Sequence, residues 1–498
     1  MKLAFIRRKA WMGALLLTSG LIGACATGII PATGEKRYLG FTWEQEQEIG
    51  KQARKEIAAA FGIYRDPELE SYVERVGRRV LQESHLRRPG TDQQFRDTPI
   101  TFQILDSPSV NAMAIPGGHV YVTRGMLAQL KNEDQLAVVL GHELAHVTAR
   151  HAARQVWQQQ VGQGLLLGGA IIGQALGLPA EQLLNLGGAA AQLIFLRHSR
   201  EDELEADRLG VEYSGRAGYD PREVTGFFRA LDRMGEKESA ALPNFLMTHP
   251  NPGDRIERIK QLTAELNPNR QRREIVPADY FEAIEGIILG EDPRQGFVEQ
   301  GVFYHPELRF RFPVPKAFKL VNQPTQVIMI DNQQRAIVGF RLSAEKSAQS
   351  AASKFASQGG IRVLESGRSQ SEGLPGAIVV ADAKAENNQN VRLMAYFVEH
   401  GGRVYHFIAY TAPQAFGLFR SEFLRTMRGF GDLKDPEILR RQPVRLEVER
   451  APRAAPFREL IPTKLPRDMR PEDLAILNQV DLNEEIRSGT LLKIPGRS

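Results

Sequence analysis

The stretch Leu140–His151, LGHELAHVTARH, carries three histidines and a glutamate at spacings that suit a metal site. On a helix, His142 and His146 lie one turn apart on one face, so two imidazoles can chelate a single cation. Glu143 lies about 100° round from His142, where its carboxylate can reach a water molecule beside the metal. An HExxH pattern occurs by chance about once in a hundred chains of this length. The pattern therefore predicts a zinc site, against the alternative of two surface histidines on a basic helix.

The third histidine of this stretch does not fit the same face. On a continuous helix, His151 lies about 140° from His146 and about 180° from His142. We therefore expect His151 to be a surface residue.

Catalytic zinc takes three protein ligands and keeps one position open. Cysteine is excluded because Cys25 is the only one in the chain. The run EDELEAD offers five acidic candidates: Glu201, Asp202, Glu203, Glu205 and Asp207. A charged run is usually a solvated helix face, but Leu204 and Ala206 indicate close packing here. We expect Glu203 to be the third ligand, with Asp207 one turn on orienting a ligating imidazole.

Four motifs stand in order along the chain: NAMAIPGG, HELAH, SREDELEAD and THPNPGDRIERI. Together they resemble the zinc metallopeptidase family of the CAAX prenyl endoproteases and HtpX, over roughly residues 40–270. Within that family the chain is most similar to the periplasmic β-barrel assembly-enhancing proteases. The resemblance implies one Zn²⁺ per chain and a mainly helical, gluzincin-like HExxH fold. It implies that the zinc ligands are His142, His146 and Glu203, and that the general base is Glu143. It also implies that Asp207 is an accessory residue and that His249 and Arg255 lie at the site.

The resemblance also bears on regulation. In some relatives the histidine of the HP motif, here His249, approaches the zinc and holds the enzyme inactive. His249 or Arg255 is alternatively a donor to the oxyanion of the reaction.

Substrate is expected to bind as an extended peptide along an edge strand through main-chain hydrogen bonds. The candidate residues are Asn111, Ala112, Met113 and Ala114. The alternative for the following Pro116–Gly118 is a hairpin turn alone.

The surrounding patterns predict the elements that position these residues. Amphipathic helices are predicted at 42–61, 67–82 and 132–157, strands at 100–106 and 111–125, and further helices at 199–218, 220–234 and 252–266. The apolar, Gly-rich stretch 161–196 is too short in its uninterrupted parts to span a bilayer. It predicts two short buried helices, with membrane-surface contact as the alternative.

The chain of 498 residues is long enough for two or three domains, and we predict a multidomain α+β protein. The protease domain occupies 40–270, and an α+β sheet domain with a PsbP-like resemblance occupies 280–435. A tail at 445–498 resembles the second half of a LysM domain. That likeness implies peptidoglycan as a further partner, but the usual opening half is missing, and a purely structural role is the alternative.

The first residues have the order of a bacterial lipoprotein leader. Four basic residues precede the apolar run Ala10–Ala24, and Cys25 follows LIGA. We expect residues 1–24 to be removed and Cys25 to be lipidated, which places the protein in the periplasm on the outer membrane. Without the leader the basic residues fall from 64 to 60 against 59 acidic ones, so the charge gives no case for nucleic-acid binding.

Two functions of different classes follow from these patterns. The first is a zinc metalloendopeptidase of the cell envelope that degrades misfolded exported or outer-membrane proteins. The second is a lipid-anchored chaperone or binding scaffold with latched protease activity and a peptidoglycan-associated tail. The glutamate beside the metal site favours the enzyme, because a scaffold needs no base there.

Overall fold

The metal-ligand candidates lie in a mainly helical first part of the chain. The computed structural model describes residues 26–162, 198–237, 245, 249, 252–266, 277–384, 390–467 and 469–496. Cys25 and the leader lie outside these ranges, as does nearly all of the apolar stretch 161–196. The helices of the first part are α1 (Trp43–Phe61), α2 (Pro67–Glu83), α3 (Gln93–Arg96), α4 (Arg124–Gln129), α5 (Glu133–Thr148), α6 (His151–Gly162), α7 (Arg200–Arg216), α8 (Val224–Lys237), α9 (Pro252–Leu266) and α10 (Pro277–Ile284).

Side-chain caps fix where the two site helices begin. Asn132 caps α5 by accepting a hydrogen bond from the backbone N–H of Gln135. Ser199 and Asp202 form a reciprocal capping box at the start of α7. Each cap satisfies backbone N–H groups that have no partner within the helix. The predicted helix at 199–218 is confirmed by α7.

The predicted helix 132–157 is wrong in one respect, because it breaks between α5 and α6. Arg150 at the break has φ of 54° and is 2% exposed. Its Nη2 donates to Glu46 Oε1 at 2.6 Å and to the carbonyl oxygen of Phe41 at 2.9 Å. A left-handed residue costs roughly 1–3 kcal/mol, and the buried ion pair with Glu46 offsets that cost. The chain after Arg150 therefore takes a new direction.

Helices α5 and α7 approach closely where two glycines meet. A Cβ at Gly141 would lie 3.0 Å from the carbonyl oxygen of Gly210, and one at Gly210 would lie 2.9 Å from the backbone nitrogen of His142. Both neighbours are backbone atoms in helices and cannot rotate away. The missing side chains thus allow the HELAH helix and the acidic helix to touch beside the site.

Replacing Gly210 with alanine is expected to destabilise the protein by about 1–3 kcal/mol, because overpacking forces the two helices apart. The matched control is Gly417→Ala, also in a helix, where a Cβ meets nothing within 4 Å. That change is expected to stabilise by up to about 1 kcal/mol through helix propensity. Thermal unfolding of both variants provides the measurement. A rise in melting temperature for both would contradict the close contact.

Three short strands accompany these helices: β3 (Thr101–Leu105), β4 (Ala112–Ile115) and β5 (His119–Thr123). A separate hairpin precedes them, β1 (Ala26–Ile29) with β2 (Lys36–Leu39). The order of the three-stranded sheet is β3-β5-β4, with β3 parallel and β4 antiparallel to β5. Gly117 and Gly118 turn the chain between β4 and β5, both with φ of 84°. Strand β4 lies at the edge of this sheet, and Pro116–Gly118 form the turn that joins it to β5.

The predicted antiparallel sheet of the second part is confirmed. The strands are β6 (Phe297–Glu299), β7 (Val302–His305), β8 (Phe310–Pro313), β9 (Phe318–Gln323), β10 (Gln326–Asp331), β11 (Ala336–Leu342), β12 (Arg362–Ser371), β13 (Leu374–Lys384), β14 (Asn390–His400), β15 (Arg403–Thr411) and β16 (Gly431–Asp432). Seven of them form a sheet in the order β12-β13-β14-β15-β11-β10-β9, and four shorter ones form a sheet in the order β16-β8-β7-β6. Helices α11 (Ala348–Ala356) and α12 (Phe416–Arg428) accompany these sheets.

The tail packs directly on the helical part of the chain. A short helix, α13 (Pro436–Leu439), precedes it. The tail comprises β17 (Leu446–Arg450), β18 (Ala455–Pro456), α14 (Pro471–Leu477), β19 (Glu485–Ile486) and β20 (Leu491–Pro495). Leu446, Leu474 and Leu492 belong to the same hydrophobic cluster as the site helices. Lys493 is fully buried, and its ammonium donates to the carbonyl oxygens of Ala128 and Leu130 at the end of α4. Because of these contacts, the tail belongs to the same hydrophobic core as the helical part of the chain.

None of the helices in the described ranges has both the length and the apolar composition needed to cross a bilayer.

Candidate metal centre

The three predicted ligands converge in a buried cluster between α5 and α7. His142 Nε2 and His146 Nε2 are 3.1 Å apart. Glu203 contributes both carboxylate oxygens, Oε2 at 3.5 Å from His142 Nε2 and Oε1 at 3.5 Å from His146 Nε2. The three residues are at most 5% exposed. One turn of α5 and the close approach of α7 thus bring two imidazoles and a carboxylate to a single point.

His249 enters the same cluster as a fourth donor. Its Nδ1 lies 2.9 Å from Glu203 Oε1 and 3.2 Å from His142 Nε2. Donor atoms of His142, His146, Glu203 and His249 all lie within 4.8 Å of one another. The ring of Phe245 stacks on that of His249 with centroids 4.6 Å apart. The family resemblance implied that His249 lies at the site, and the structure places its ring among the predicted ligands.

The donor set fits zinc, which takes imidazole nitrogens and carboxylate oxygens at tetrahedral sites. Glu143 supports this fit. Its Oε1 is buried, has no hydrogen-bond partner among the described residues, and lies 3.6 Å from His249 Nε2. A buried carboxylate oxygen without a partner is costly unless something else binds there. Burial raises the pKa of Glu143, with the positive charges of His249 and His142 acting in the opposite direction.

Asp207 and Arg255 support His142 from behind. His142 Nδ1 lies 3.0 Å from Asp207 Oδ1. Arg255 donates twice to Asp207, from Nε at 2.9 Å to Oδ2 and from Nη2 at 2.6 Å to Oδ1. Although burial raises the pKa of Asp207, the charge of Arg255 and the bond to His142 hold it below its usual value. Asp207 therefore stays ionised and fixes the orientation of the His142 ring.

Glu203 is likewise held as a carboxylate. Burial acts to raise its pKa, but the charge of His249 and the hydrogen bonds from His142 and His249 keep the pKa well below its usual value. An ionised, buried carboxylate is the form that binds a cation.

The expectation that His151 is a surface residue is wrong. His151 is 0% exposed, and its Nδ1 lies 2.8 Å from Nδ1 of His146. The angular argument assumed one continuous helix, whereas the turn at Arg150 reverses the side on which His151 lies.

His198 also lies at the site and was not predicted from the sequence. Its ring stacks on His146 with centroids 3.9 Å apart, and burial lowers its pKa to about 3. The only sequence signal is its place one residue before Ser199, the cap of α7.

The four proposed substrate-binding residues lie at edge strand β4 or just before it. Asn111, Ala112 and Met113 are buried, and Ala114 is partly exposed. Phe245 donates its backbone N–H to the carbonyl oxygen of Val110 at 3.2 Å. The backbone that leads into the edge strand is therefore joined to the segment that carries His249.

A family model described as Peptidase family M48 matches residues 67–263. This part of the chain is a peptidase family M48 domain. The matched range contains the whole cluster, including the HELAH helix, Glu203, Asp207, His249 and Arg255. The predicted resemblance to this metallopeptidase family is thereby confirmed.

The chain is also similar to curated relatives that are named as proteases or metalloendopeptidases. A β-barrel assembly-enhancing protease from Yersinia pestis is 29% identical over 271 residues, which cover 52% of this chain and 53% of the relative. The mitochondrial metalloendopeptidase OMA1 of Schizosaccharomyces pombe is 28% identical over 269 residues, covering 53% of this chain and 75% of the relative. The chain thus matches about half the length of the first of these relatives.

The chain also resembles solved structures over part of its length. Cyanobacterial PsbP from Synechocystis matches 26% of this chain and 91% of its own length, at 15% identity and a TM-score of 0.23. A likeness of this size carries no argument about function.

Proposed function

We propose that this chain is a zinc metalloendopeptidase that cuts unfolded segments of exported proteins. The observation that carries the proposal is the convergence of His142, His146 and Glu203 beside a buried oxygen of Glu143 that has no hydrogen-bond partner among the described residues. A binding scaffold has no use for a buried base next to a metal site.

The chain's own residues have separate tasks in this reaction. Bound zinc would polarise both a water molecule and the substrate carbonyl. Glu143 Oε1 accepts the proton that the attacking water loses and delivers it to the nitrogen of the leaving amine. Asp207 holds the His142 ring, and Arg255 holds Asp207. Arg255 donates to Asp207 from Nε and Nη2, which supports a positioning role. Its Nη1 is buried without a hydrogen-bond partner among the described residues, which supports the alternative role as a donor to the oxyanion.

The substrate is held along β4, through the backbone from Asn111 to Ala114. Main-chain pairing with an edge strand reads the backbone more than the side chains. Broad specificity for extended, unfolded segments follows from that mode. The name of one curated relative, a β-barrel assembly-enhancing protease, supports a client protein that assembles as a β-barrel.

The four-residue cluster supports a latched resting enzyme. Catalytic zinc keeps one position open beside three protein ligands, but here four residues supply donor atoms to one cluster. His249 is the ligand candidate that lies outside α5 and α7. Withdrawal of His249 would open the fourth position. The backbone bond between Phe245 and Val110, next to the proposed substrate strand, supports a coupling between peptide binding and withdrawal of His249.

The cell-envelope setting rests on Cys25 as a lipidation site, with the protein held at the outer membrane and facing the periplasm. A role of the tail in binding peptidoglycan has less support, because Leu474, Leu492 and Lys493 are buried against the first core. This packing favours a structural task for the tail.

The test of the proposed function is digestion of unfolded casein by the purified chain, with zinc measured in the same sample. We expect about one zinc per chain, loss of cleavage after chelation, and recovery when zinc is added back. Absence of bound zinc would refute the metal site. Zinc without cleavage, also after removal of the latch, would favour the chaperone or binding scaffold.

A further inference from the structure

Within the part of the chain that the structure describes, His146, unlike His142, has no carboxylate directly behind its ring. His142 Nδ1 contacts Asp207, which is paired with Arg255. Behind His146, at the equivalent place, lies a second imidazole. His151 Nδ1 is 2.8 Å from His146 Nδ1, and both residues are buried.

The tautomers of the two rings follow from what surrounds them. His146 Nε2 faces the other ligand candidates, at 3.1 Å from His142 Nε2 and 3.5 Å from Glu203 Oε1. If Nε2 binds the metal, the proton of the neutral ring is on Nδ1, and it is donated to His151 Nδ1. His151 then carries its own proton on Nε2, which lies 3.2 Å from Glu205 Oε2.

The series of hydrogen bonds from His146 through His151 ends at the carboxylate of Glu205, which is paired with Arg154. Arg154 donates from Nη1 to Glu205 Oε2 at 3.0 Å and from Nη2 to Asp202 Oδ1. Asp202 also lies 3.6 Å from His151 Nε2. Each ligating histidine is thus backed by a carboxylate that an arginine holds in place, and for His146 an imidazole is inserted between them.

We propose that His151 is a positioning residue that connects His146 to Glu205 and thereby sets the affinity of the zinc site. The inference rests on the proposed function, since it requires His146 to bind the metal. Acceptors behind a ligating histidine fix its tautomer and orientation and increase its basicity. Their loss typically lowers metal affinity by about 10–100-fold.

A second cation shared by His146, His151 and His198 is the competing use of these residues, because their donor atoms also lie close together. The geometry favours the hydrogen-bonded chain. The 2.8 Å separation of the two Nδ1 atoms is that of a hydrogen bond. His146 and His198 stack with their planes at 26°, so their in-plane lone pairs do not converge on one point.

The experiment measures zinc affinity of the full chain by competition with a chromophoric chelator. His151→Leu removes the acceptor at similar volume, and His151→Asn places an amide oxygen near the position of Nδ1. We expect one zinc per wild-type chain, an affinity about 10–100-fold lower in His151→Leu, and recovery of most of that loss in His151→Asn. Glu205→Gln, which leaves both rings in place, is expected to lower the affinity less than His151→Leu does.

Thermal unfolding of each variant shows whether it is folded. If a His151 variant does not fold, the zinc affinity of Glu205→Gln still tests the proposal. Wild-type affinity in His151→Leu, or an equal loss in the leucine and asparagine variants, would overturn the proposal. Two zinc ions per wild-type chain, with one lost in every His151 variant, would assign these residues to a second metal site. A wild-type chain without zinc would instead refute the proposed function.

Discussion

Replacing Glu143 with glutamine is expected to slow casein cleavage by about 10²–10⁴-fold, the usual contribution of a general base. The amide has nearly the same shape as the carboxylate but cannot take the proton from water. Zinc content is expected to stay at about one per chain, because His142, His146 and Glu203 are unchanged. The measurement is the initial cleavage rate at saturating casein, with metal analysis of the same samples.

The matched control for this variant is Glu201→Gln. Glu201 lies on α7 in the same acidic run as Glu203, but its side chain is exposed. The Glu201→Gln variant is expected to have the wild-type cleavage rate and zinc content. Cleavage by Glu143→Gln at the wild-type rate would show that another group is the base. Loss of zinc in that variant would mean that Glu143 is itself a ligand.

Replacing His249 with alanine is expected to raise the cleavage rate by about tenfold or more. A site that is open in only a small fraction of molecules has its apparent activity reduced by that fraction, so removal of the closing group restores it. Three ligands remain in this variant, and it is expected to retain one zinc. The rise is expected mainly at low casein concentration, because displacement of the latch accompanies peptide binding.

The control for this variant is His406→Ala, which removes a histidine from the sheet of the second part, where it contacts Arg341. Its rate is expected to match that of wild type. A fall in kcat in His249→Ala, with zinc retained, would assign His249 to the stabilisation of the oxyanion. Loss of zinc would make it a permanent ligand.

The parts of the site that follow from helix geometry could be predicted from the sequence. His142 and His146 share a face because they are one turn apart, and Glu203 and Asp207 do so for the same reason. The capping residues Asn132 and Ser199 allow the starts of these two helices to be predicted from single residues. The glycines of the turn between β4 and β5 likewise allow that hairpin to be predicted. In each case the deciding interactions lie within a few residues of one another.

The position of His151 could not be predicted in this way. The end of α5 depends on Arg150, whose guanidinium bonds to Glu46, a residue 104 positions away in the chain. No local pattern marks that pairing, and a continuous helix was the reasonable expectation from periodicity. The sequence also contained no sign that Lys493 would hold the end of α4, or that the tail would share the core of the M48 domain.

The sequence by itself determined that His142 and His146 share one helix face with Glu143 beside them, because the helical repeat fixes the relation between side chains at these spacings. Only the tertiary structure decided which side chains hydrogen-bond to the predicted histidine ligands and that His249 lies against them. Those features depend on buried contacts between distant segments: Arg150 with Glu46, Arg255 with Asp207, and His249 with Glu203. Burial makes an unpaired charge costly, so these pairings, rather than local propensity, set the direction of the chain around the site.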